Sequence, residues 1–397
     1  MLILVQNLPL PIDRRVWLEC RTLLDAGYQV SAITPKSVGD PAYENLSGID
    51  LYKYDPPPGS DGYIAFCWEF VYCWFHTLRL ALRAWRRRPI DIIQACNPPD
   101  TYWALTLLFR PLGVRFVYDQ HDLCPELYQS RFSRPSPLIM RMLLALERVT
   151  YRTADHVIVT NDSYRKVAFE RGGKRPSQVT VVRTGPDSEH LRRGNPRPEL
   201  RREHDFLACY VGVMGPQDGV DVLIRAIDHY VHDLGQKNCN FAILGSGDCW
   251  QQLRDMVVEF QLEEHVVMPG WADDTMLSDY LSTADVGLSP DPPNALNELS
   301  TMNKTMEYMA FGLPVIAFDL TETRVSAGDA AVYVPTDDQS ATRLAAAFAE
   351  ALANLLAHPE QRFEMGRSGR QRVEEHLDWR HQRAMYVNVY ESLVRAR

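Results

Sequence analysis

The sequence lacks three patterns that would place it in common classes of protein. Its eight cysteines include no C-x-x-C pair, so neither a structural zinc site nor a disulfide scaffold is indicated. Residues 5–19, VQNLPLPIDRRVWLE, contain no glycine, whereas a dinucleotide-binding enzyme carries G-x-G-x-x-G directly after its first strand. No ligand cluster indicates a metal site either. These absences disfavour a zinc protein, a disulfide-rich domain and a hydride-transferring dehydrogenase.

The chain also shows no export signal and no general affinity for nucleic acid. It begins at once with the strand-like MLILV, without a basic region, a signal-length apolar stretch or a cleavage site, so we expect a cytoplasmic protein. The net charge is -9, divided as +3 through residue 190 and -12 afterwards. This asymmetry argues against nucleic acid as the main partner and leaves the first half able to meet an anionic surface.

Alternating apolar segments and amphipathic stretches predict two domains of the α/β class. A chain of 397 residues with 46% apolar residues has material for two hydrophobic cores. Strand-like runs alternate with helix-length stretches, which is typical of a parallel sheet covered on both faces. The runs are MLILV, YQVSAIT, DIIQAC, VRFVYDQ, HVIVTN and VTVVRTG in the first half, and ACYVGVM, FAILGSG, HVVMPG, DVGLSP and PVIAFD in the second.

A polar segment rich in proline and arginine separates the two series of strands. We interpret PDSEHLRRGNPRPELRREHD as an interdomain linker, which divides the chain into a first Rossmann-like domain, 1–185, and a second, 205–378. Residues 379–397 predict a last helix that packs back on the first domain. Two doubly wound domains would face each other across a cleft, with ligands at the carboxyl ends of their strands.

The glycines expected of a phosphate site occur in the second half. VGVMGPQDGVD, with Gly215, follows the first strand there, and ILGSGD, with Gly245 and Gly247, follows the next. Glycine at such turns either lets backbone amides approach a phosphate or only permits the chain to reverse. Two such loops at the same end of one sheet favour a nucleotide-binding site over a purely structural role.

The stretch STMNKTMEYMAFGLP predicts a short helix with charged side chains near its start. Ser300 and Thr301 are N-cap types, and Gly312 and Pro314 end the helix. Lys304 and Glu307 share one helix face. They form either a surface ion pair worth roughly 0.2–0.5 kcal/mol, or an anion site with a carboxylate that accepts hydrogen bonds from sugar hydroxyls.

Several of these motifs together resemble the retaining GT-B glycosyltransferases of family 4. The resemblance rests on IDRRVWLECRTLLDAGYQVSAIT near the start, then ILGSGD, VVMPGW, ADVGLSP and KTMEYMAFGLPVIAFD, which cover nearly the whole chain in the expected order. It implies transfer of a sugar from a nucleotide diphosphate to an acceptor. The second domain would hold the donor and the first domain the acceptor.

The resemblance also implies roles for individual residues. Glu307 matches the second glutamate of the family's E-x7-E element, which binds the ribose, whereas Leu299 stands where the first glutamate is expected. Met214, Gln217 and Asp218 replace the arginine and lysine that usually neutralise the diphosphate. Lys304 and Arg183 are the cations that would compensate, unless Arg183 forms an ion pair with a nearby acid. Donor contacts are also expected from Ser300, Thr301, Asn303 and, unless it packs in the core, Trp271.

In the first domain, the segment FVYDQHDLCPE places polar side chains at the end of a strand. A family-like His121 would contact the transferred sugar, and Asp122 beside it is a candidate acceptor contact. Asn97 and Asp100 in QACNPPDTYW are further acceptor candidates, although Asx-Pro loops are commonly just turns. Lys304, Glu307 and His121 are therefore the predicted catalytic residues.

Residues 63–88 predict a helix with an aromatic stripe. Ile64, Trp68, Val71, Phe75, Leu78, Leu82 and Trp85 recur at helical spacing and are followed by Arg86, Arg87 and Arg88. Charged and polar residues interrupt the stripe, so a membrane-spanning helix is less plausible than one that packs on the sheet or lies on an anionic membrane.

We therefore expect a retaining hexosyl- or N-acetylhexosaminyltransferase of cell-surface polysaccharide or glycolipid synthesis. Its donor would be UDP- or GDP-linked, its acceptor a saccharide or a lipid-linked saccharide, and no metal or other cofactor would be required. It would be cytoplasmic, with a peripheral position on the inner face of the membrane. The alternatives are a partner subunit that binds nucleotide sugars without turnover, and a sugar-nucleotide epimerase of the same fold.

Overall fold

The computed structural model describes residues 1–57, 63–132, 134–338 and 340–395, without the side chains of residues 63–67. The chain divides into two compact units. One consists of Met1–Tyr128, Arg134–Arg183 and Gln382–Arg397, and the other of Gln129–Ser133 and Thr184–His381.

The first unit contains an eight-stranded sheet in the order β3-β4-β2-β1-β5-β6-β7-β8. All neighbouring strands are parallel except the pair β3–β4. The strands are β1 Leu2–Leu4, β2 Ser31–Pro35, β3 Tyr43–Leu46, β4 Ile49–Tyr54, β5 Ile92–Cys96, β6 Arg115–Gln120, β7 His156–Val159 and β8 Val179–Val181.

The antiparallel hairpin β3–β4 is absent from the sequence prediction. Ser47 and Gly48 form its turn, and both have positive φ angles, of 52° and 90°. Only β4 is largely buried, whereas β3 is partly exposed at the edge of the sheet. The polar residues of β3 therefore gave no strand-like run, although the Ser-Gly dipeptide marks the turn.

Helices connect the parallel strands, as the alternating pattern predicts. They are α1 Arg14–Asp25, α2 Tyr63–Arg87, α3 Trp103–Phe109, α4 Cys124–Arg131, α5 Pro137–Thr153 and α6 Asp162–Glu170, with α14 Trp379–Arg395 at the end of the chain. Asp13 begins α1 by accepting a hydrogen bond from the amide of Val16, and Asn161 begins α6 in the same way with Tyr164.

The second unit contains a six-stranded, fully parallel sheet in the order β11-β10-β9-β12-β13-β14. The strands are β9 Phe206–Val211, β10 Cys239–Leu244, β11 Val266–Gly270, β12 Val286–Ser289, β13 Val315–Phe318 and β14 Ala331–Val334. The helices are α7 Val220–Asp228, α8 Trp250–Glu259, α9 Asp274–Thr283, α10 Asn303–Ala310, α11 Thr321–Ala327, α12 Ala341–Ala357 and α13 Pro359–Arg372.

Both faces of this second sheet are buried. Along β9, Ala208 and Tyr210 pack in one hydrophobic cluster, while Leu207 and Cys209 pack in another. Side chains alternate between the faces of a strand, so the two clusters cover opposite faces of one sheet. The doubly wound architecture predicted from the apolar runs is confirmed.

The arginine-rich segment between the two series of strands packs on the second unit. Arg193 donates to the carbonyl of Ser282, Arg197 pairs with Asp279 at 3.1 Å, and Arg201 pairs with Asp285 at 2.7 Å. Its arginines hold it to the end of α9 and the start of β12. The segment interpreted as an interdomain linker therefore has defined contacts with the second unit.

The aromatic stripe of α2 faces solvent. Trp68 is 56% exposed, Phe75 64% and Val71 49%, whereas the buried face of the helix carries Cys73 and Leu80. The interpretation in which the stripe packs on the sheet is therefore wrong for these three side chains. Leu82 is also exposed, Leu78 and Trp85 are half-buried, and the side chain of Ile64 lies outside the described residues. Within the described part of the chain, no helix is long and apolar enough to cross a membrane.

Candidate functional site

The two glycine loops of the second unit contact each other through their backbones. A Cβ atom on Gly245 would lie 1.8 Å from the carbonyl oxygen of Gly212, and one on Gly247 would lie 2.6 Å from that of Met214. The amide of Met214 donates to the carbonyl of Ser246 at 3.0 Å. Close loop-to-loop packing therefore requires glycine at both positions, whether or not a phosphate approaches them.

The carboxyl group of Asp218 occupies the inside of the first glycine loop. Its Oδ2 atom accepts a hydrogen bond from the amide of Gly215 at 2.8 Å and one from the side chain of Gln217 at 3.1 Å. The amide of Gly215, predicted to face a donor phosphate, is thus bound to an acid of the same loop. Met214 is fully buried in the core beneath it.

Asp218 has an unusually high pKa for a carboxyl group. Burial raises this pKa to about 6, and the nearby acid Asp291 adds to the effect, although Lys304 opposes it. The protonation of Asp218 therefore changes close to neutral pH, inside the loop where a phosphate is expected.

Helix α10 begins slightly later than its sequence indicates. Its N-cap residue is Met302, which provides no side-chain cap, and its first residue is the exposed Asn303. The hydroxyl of Ser300 donates instead to the carbonyl of Leu296 at 2.8 Å. Ser300 and Thr301 therefore precede the helix rather than capping it. Gly312, with a φ of 69°, follows the helix end as predicted.

Lys304 lies at the start of α10 with its amine turned towards an acid. Its Nζ atom is 2.5 Å from Oδ1 of Asp291, and both side chains are at most 10% exposed. The same amine lies 5.3 Å from the centre of the Tyr210 ring. Its Cε atom would lie 3.2 Å from a Cβ on Gly212, so Lys304 reaches the base of the first glycine loop. The ion pair shown for Lys304 is this buried one with Asp291, whereas a surface pair with Glu307 was one of the two sequence interpretations.

Three other predicted positions lie around α10 or at the same edge of the sheet. Glu307 is half-buried on the helix. Glu298, next to the leucine that replaces the family's first glutamate, accepts hydrogen bonds from the amide and hydroxyl of Thr321 and so holds the start of α11. Trp271 follows β11 and is 59% exposed, which rules out core packing as its role.

In the first unit, the predicted His121 contacts a buried ion pair. Its Nε2 atom lies 2.9 Å from Oδ2 of Asp119 and 3.1 Å from Nε of Arg15. Arg15 also pairs with Asp119 at 3.1 Å and with Glu19, one helical turn along α1, at 2.9 Å. The imidazole is therefore held at the carboxyl end of β6 by two groups that are themselves buried.

Gln94 connects this cluster to the last helix. Its amide nitrogen donates to Glu19 and to Asp119, each at 2.8 Å, and its oxygen accepts from the hydroxyls of Tyr386, at 2.7 Å, and Tyr390. Gln94 is completely buried in β5. A polar strand residue thus attaches α14 to the first sheet.

The two acids of the cluster have pKa values shifted in opposite directions. Burial, reinforced by Asp119, raises the pKa of Glu19 well above its usual range. Burial also acts on Asp119, but His121 and Arg15 outweigh it and bring the pKa of that carboxyl below its usual range. Burial and the nearby acid thus favour the neutral form of Glu19, whereas His121 and Arg15 favour the ionised form of Asp119.

The same cluster brings together four groups that are capable of binding metal. Ligand atoms of Glu19, Cys96, Asp119 and His121 lie within 4.8 Å of one another. The guanidinium of Arg15 already contacts Asp119 and His121 from within this group. Because the guanidinium also pairs with Glu19, it contacts three of the four groups, and its positive charge disfavours a metal ion at this place.

Asn97 and Asp100 hold two neighbouring loops together. The side-chain oxygen of Asn97 accepts from the amides of His121 and Asp122, and its nitrogen donates to Asp100 and to the carbonyl of Asp122. Asp100 also accepts from the hydroxyl of Tyr118 at 2.6 Å. Asn97 is 2% exposed and Asp100 4%, so both serve a turn in this structure. Asp122 is half-buried, and burial raises its pKa.

Arg183 is the last residue of the segment Arg134–Arg183 of the first unit, and its side chain contacts an acid. Its guanidinium is 3.5 Å from Asp162 at the start of α6, and its amide donates to Gln382 at 3.1 Å. The ion pair considered from sequence is therefore present. A role for Arg183 in binding the donor stays a prediction.

Two family models match consecutive parts of the chain. The "Glycosyl transferase 4-like domain" matches residues 12–185, and "Glycosyl transferases group 1" matches residues 205–358. Together they cover most of the chain. The protein therefore belongs to the GT-B glycosyltransferases of group 1, and the resemblance drawn from its motifs is confirmed.

Individual relatives agree with this class. Over 170 residues, which are 42% of this chain and 40% of the relative, the sequence is 28% identical to the "Putative colanic acid biosynthesis glycosyltransferase WcaL" of Escherichia coli K12. This match thus covers less than half of that protein's length. Sucrose-phosphate synthase from Thermosynechococcus elongatus has a similar structure, with a TM-score of 0.78, 18% identity and all of both chains covered. Anabaena HepE in complex with UDP-glucose gives a TM-score of 0.71 at 15% identity, over 98% of this chain and 99% of that one.

The residues missed by the sequence reading are those whose partners are distant in the chain. Asp291 lies 13 positions before Lys304, and Gln94 lies 292 positions before Tyr386. A signal for Gln94 was available, since it is the one strongly polar residue within the otherwise apolar β5. A second signal was the i, i+4 spacing of Arg15 and Glu19 on α1.

Proposed function

We propose that this glycosyltransferase moves a hexosyl or N-acetylhexosaminyl group, with retention of configuration, from a UDP- or GDP-linked donor to a saccharide or lipid-linked acceptor. The observation that supports it best is the position of Lys304. A buried ammonium group at the start of α10, beside two glycine loops, is suited to the diphosphate of the donor. The UDP-glucose bound to HepE and the description of WcaL as a putative glycosyltransferase of colanic acid biosynthesis agree with this substrate class.

In this mechanism the donor displaces Asp291 as the partner of Lys304. The bond between the anomeric carbon and the diphosphate oxygen breaks, and Lys304 with the first amides of α10 stabilises the charge on the leaving oxygen. The acceptor hydroxyl attacks from the same face, and its proton passes to the departing diphosphate. Glu307 accepts hydrogen bonds from the ribose, and His121 hydrogen-bonds the transferred sugar. Arg183, Asn303 and Trp271 provide further donor contacts, and Asp122 contacts the acceptor.

The test is a transfer assay in which the product is identified. The purified chain is incubated with UDP- and GDP-sugars and an extract of lipid-linked saccharides, and the anomeric configuration of the product is read by NMR. Lys304→Ala is expected to lower kcat/KM by at least about 100-fold, because one donor that stabilises a leaving oxyanion is worth that factor. The matched control Lys237→Ala removes an exposed lysine and is expected to retain activity.

The same assay separates the two alternatives. A non-catalytic partner subunit would bind nucleotide sugar without releasing nucleoside diphosphate. An epimerase would change the sugar of the donor with no acceptor present. Transfer that persists at full rate in EDTA is expected, because Lys304 and the helix amides supply the positive charge; loss of activity in EDTA would show that a metal takes that role.

The exposed stripe of α2 supports a position on the inner face of the membrane. Trp68, Val71 and Phe75 are exposed, and Arg79, Arg83 and Arg86 continue the same side of the helix. Aromatic side chains followed by arginines suit the interface of an anionic bilayer. A peripheral cytoplasmic enzyme placed in this way would meet a lipid-linked acceptor directly.

A further inference from the structure

A cavity of the second unit lies at the sheet edge where the strands begin. Its volume is about 640 Å³, within the usual range for small-molecule sites. Ala284 and Asp285, just before β12, and Leu313 and Pro314, just before β13, contribute to its lining. Strands of a parallel sheet all start at one edge. The cavity is therefore at the opposite edge from the glycine loops and Lys304.

The cavity is rich in arginine although the second half of the chain is acidic overall. Five arginines line it, against the two acids Asp285 and Glu374. They are Arg192, Arg193, Arg362, Arg367 and Arg370. The chain after residue 190 carries a formal charge of -12, so a local excess of cations in this half is a specific feature of the cavity.

Two of these arginines are fixed without being neutralised. Arg193 donates to the carbonyls of Ser282 and Ala284, and Arg362 to the carbonyls of Leu355 and Leu356. Among the described residues, neither forms an ion pair with a carboxylate. Carbonyl oxygens hold a guanidinium in place but leave its positive charge, so both contribute to an anion-attracting wall.

The acids of the lining do not cancel this charge. Asp285 pairs with Arg201 at 2.7 Å, outside the cavity lining, and Glu374 pairs with Arg370 at 2.6 Å. Each acid is therefore matched by one arginine. The cations of Arg192, Arg193, Arg362 and Arg367 stay in excess.

Arg192 and Arg367 are the two arginines whose guanidinium groups are available to a ligand. Both side chains are exposed, and in the part of the chain that the structure describes neither guanidinium forms a hydrogen bond or an ion pair. Phe363 on the same helix as Arg367 is 73% exposed and gives the cavity an aromatic rim. Two guanidinium groups beside an aromatic ring suit a phosphorylated ligand that also contains an apolar group or a ring.

The floor of the cavity is rigid. Helix α13 approaches the turn after α10 so closely that a Cβ on Gly366 would lie 2.2 Å from the carbonyl oxygen of Gly312. Arg370 adds hydrogen bonds from α13 to the carbonyls of Leu191 and Ala310. The arginines therefore project from a preformed surface, which reduces the entropy lost on binding.

We propose that this arginine-lined cavity is a second binding site, distinct from the donor site, for a multiply charged phosphate group. The phosphate belongs either to a free metabolite such as a nucleotide or sugar phosphate, or to a lipid head group. Both sources present the same tetrahedral oxyanion to Arg192 and Arg367.

The test is calorimetric titration of the full-length chain with inorganic diphosphate. It is done in the Lys304→Ala background, so that the proposed donor site does not contribute. Saturable binding is expected to persist there and to weaken at least tenfold when Arg192→Ser and Arg367→Ser are added. The matched control adds Arg254→Ser and Arg343→Ser, which remove two exposed arginines of the same unit outside the cavity lining and are expected to leave binding unchanged.

A second arm distinguishes the source of the phosphate. Vesicles that contain phosphatidic acid are offered to the same variants with Trp68→Ser and Phe75→Ser added, so that the stripe of α2 does not contribute. Binding of vesicles but not of diphosphate, lost in the Arg192 and Arg367 variant, would identify a lipid head group. Two results would show that the second site does not exist. In one, both ligands bind equally to the variant with Arg192→Ser and Arg367→Ser and to its matched control. In the other, neither ligand binds in the Lys304→Ala background. Loss of the donor site alone would leave this proposal standing.

Discussion

At the level of single residues, the proposed donor site contains two carboxyl groups beside one lysine. Asp291 pairs with Lys304, and Asp218 closes the glycine loop by binding the amide of Gly215. A diphosphate brings further negative charge to this place. Binding of the proposed donor therefore has to overcome repulsion from these acids, and we expect the protonation of Asp218 to be linked to the affinity for the donor.

The first prediction concerns the pH dependence of donor binding. Because the pKa of Asp218 is raised to about 6, lowering the pH from 7.5 to 5.5 protonates this acid and removes a negative charge. We expect the dissociation constant of the nucleotide sugar to fall as the pH falls, and Asp218→Asn to bind about tenfold more tightly at pH 7.5, which corresponds to roughly 1.4 kcal/mol. Calorimetric titration at several pH values measures both effects.

Asp218→Asn also serves as the control for the ligand's own titration. Any pH dependence that remains in this variant belongs to the ligand or to other groups. The raised pKa of Asp218 also affects the stability of the protein. Because this pKa is higher in the folded state than in the unfolded state, the folded protein loses stability as the pH rises from about 4 to about 6. A variant that retains the full pH dependence of the wild type would contradict the role given to Asp218.

The second prediction concerns Asp291. Asp291→Asn leaves the buried amine of Lys304 without its anionic partner, and breaking one member of such a pair costs about 3–5 kcal/mol. A nucleoside diphosphate supplies a replacement anion. We therefore expect the variant to unfold at lower urea concentration and to gain more stability from the ligand than the wild type does. Equal stabilisation of both proteins by the ligand would show that the diphosphate does not meet Lys304.

At the level of secondary-structure elements, Gln94 explains how α14 is attached to the first sheet. It donates to two acids and accepts from two tyrosine hydroxyls, and all of these groups are buried. Substitution by leucine removes one hydrogen bond from each of these four partners, and a buried polar group left without a partner costs about 1–3 kcal/mol.

The third prediction is a loss of stability for Gln94→Leu that exceeds what its change in shape explains. We expect at least about 3 kcal/mol in urea unfolding, since more than one buried group loses its partner. Ile93→Val in the same strand is the control, because it removes one buried methylene at about 0.5–1.5 kcal/mol. If Gln94→Leu is as mild as this control, the polar cluster does not stabilise the element.

The fourth prediction tests whether α2 is a membrane-binding element. The purified chain is expected to float with anionic liposomes and not with neutral ones. Trp68→Ser with Phe75→Ser, and Arg86, Arg87 and Arg88 changed together to serine, are each expected to abolish flotation. Arg141→Ser, Arg148→Ser and Arg152→Ser together on α5, all exposed, form the charge-matched control for the triple arginine variant and should still float. Flotation that does not depend on lipid charge would exclude this surface.

Sequence patterns predicted the elements to different degrees. The parallel strands were found because each is a continuous apolar run, buried on both faces. The edge hairpin was missed because β3, YENL, is only partly buried and carries few apolar residues. For α2, spacing identified the aromatic stripe but not its direction. The structure shows that the side of α2 that faces the sheet carries Cys73, Thr77 and small alanines. The larger side chains dominated the sequence pattern, so this side was not recognised as the buried one.

On the scale of the whole molecule, fold and family were predictable but the electrostatics of the site were not. The order of the motifs, from IDRRVWLE to KTMEYMAFGLPVIAFD, is a property of the chain alone. The partner of Lys304 is not, because Asp291 reaches it only after β12 and α10 have packed. The same holds for the arginine cavity, whose cations come from segments far apart in the sequence and meet only at the start of the second sheet's strands.

In the proposed mechanism, the diphosphate of the donor binds the amine of Lys304 and the start of α10. The most direct test of this claim is a crystal structure of the protein with a nucleotide sugar at saturating concentration. We predict a phosphate oxygen within hydrogen-bond distance of Lys304 Nζ, with the contact between that amine and Asp291 lengthened. A donor bound elsewhere, with the pair between Lys304 and Asp291 intact, would contradict the claim.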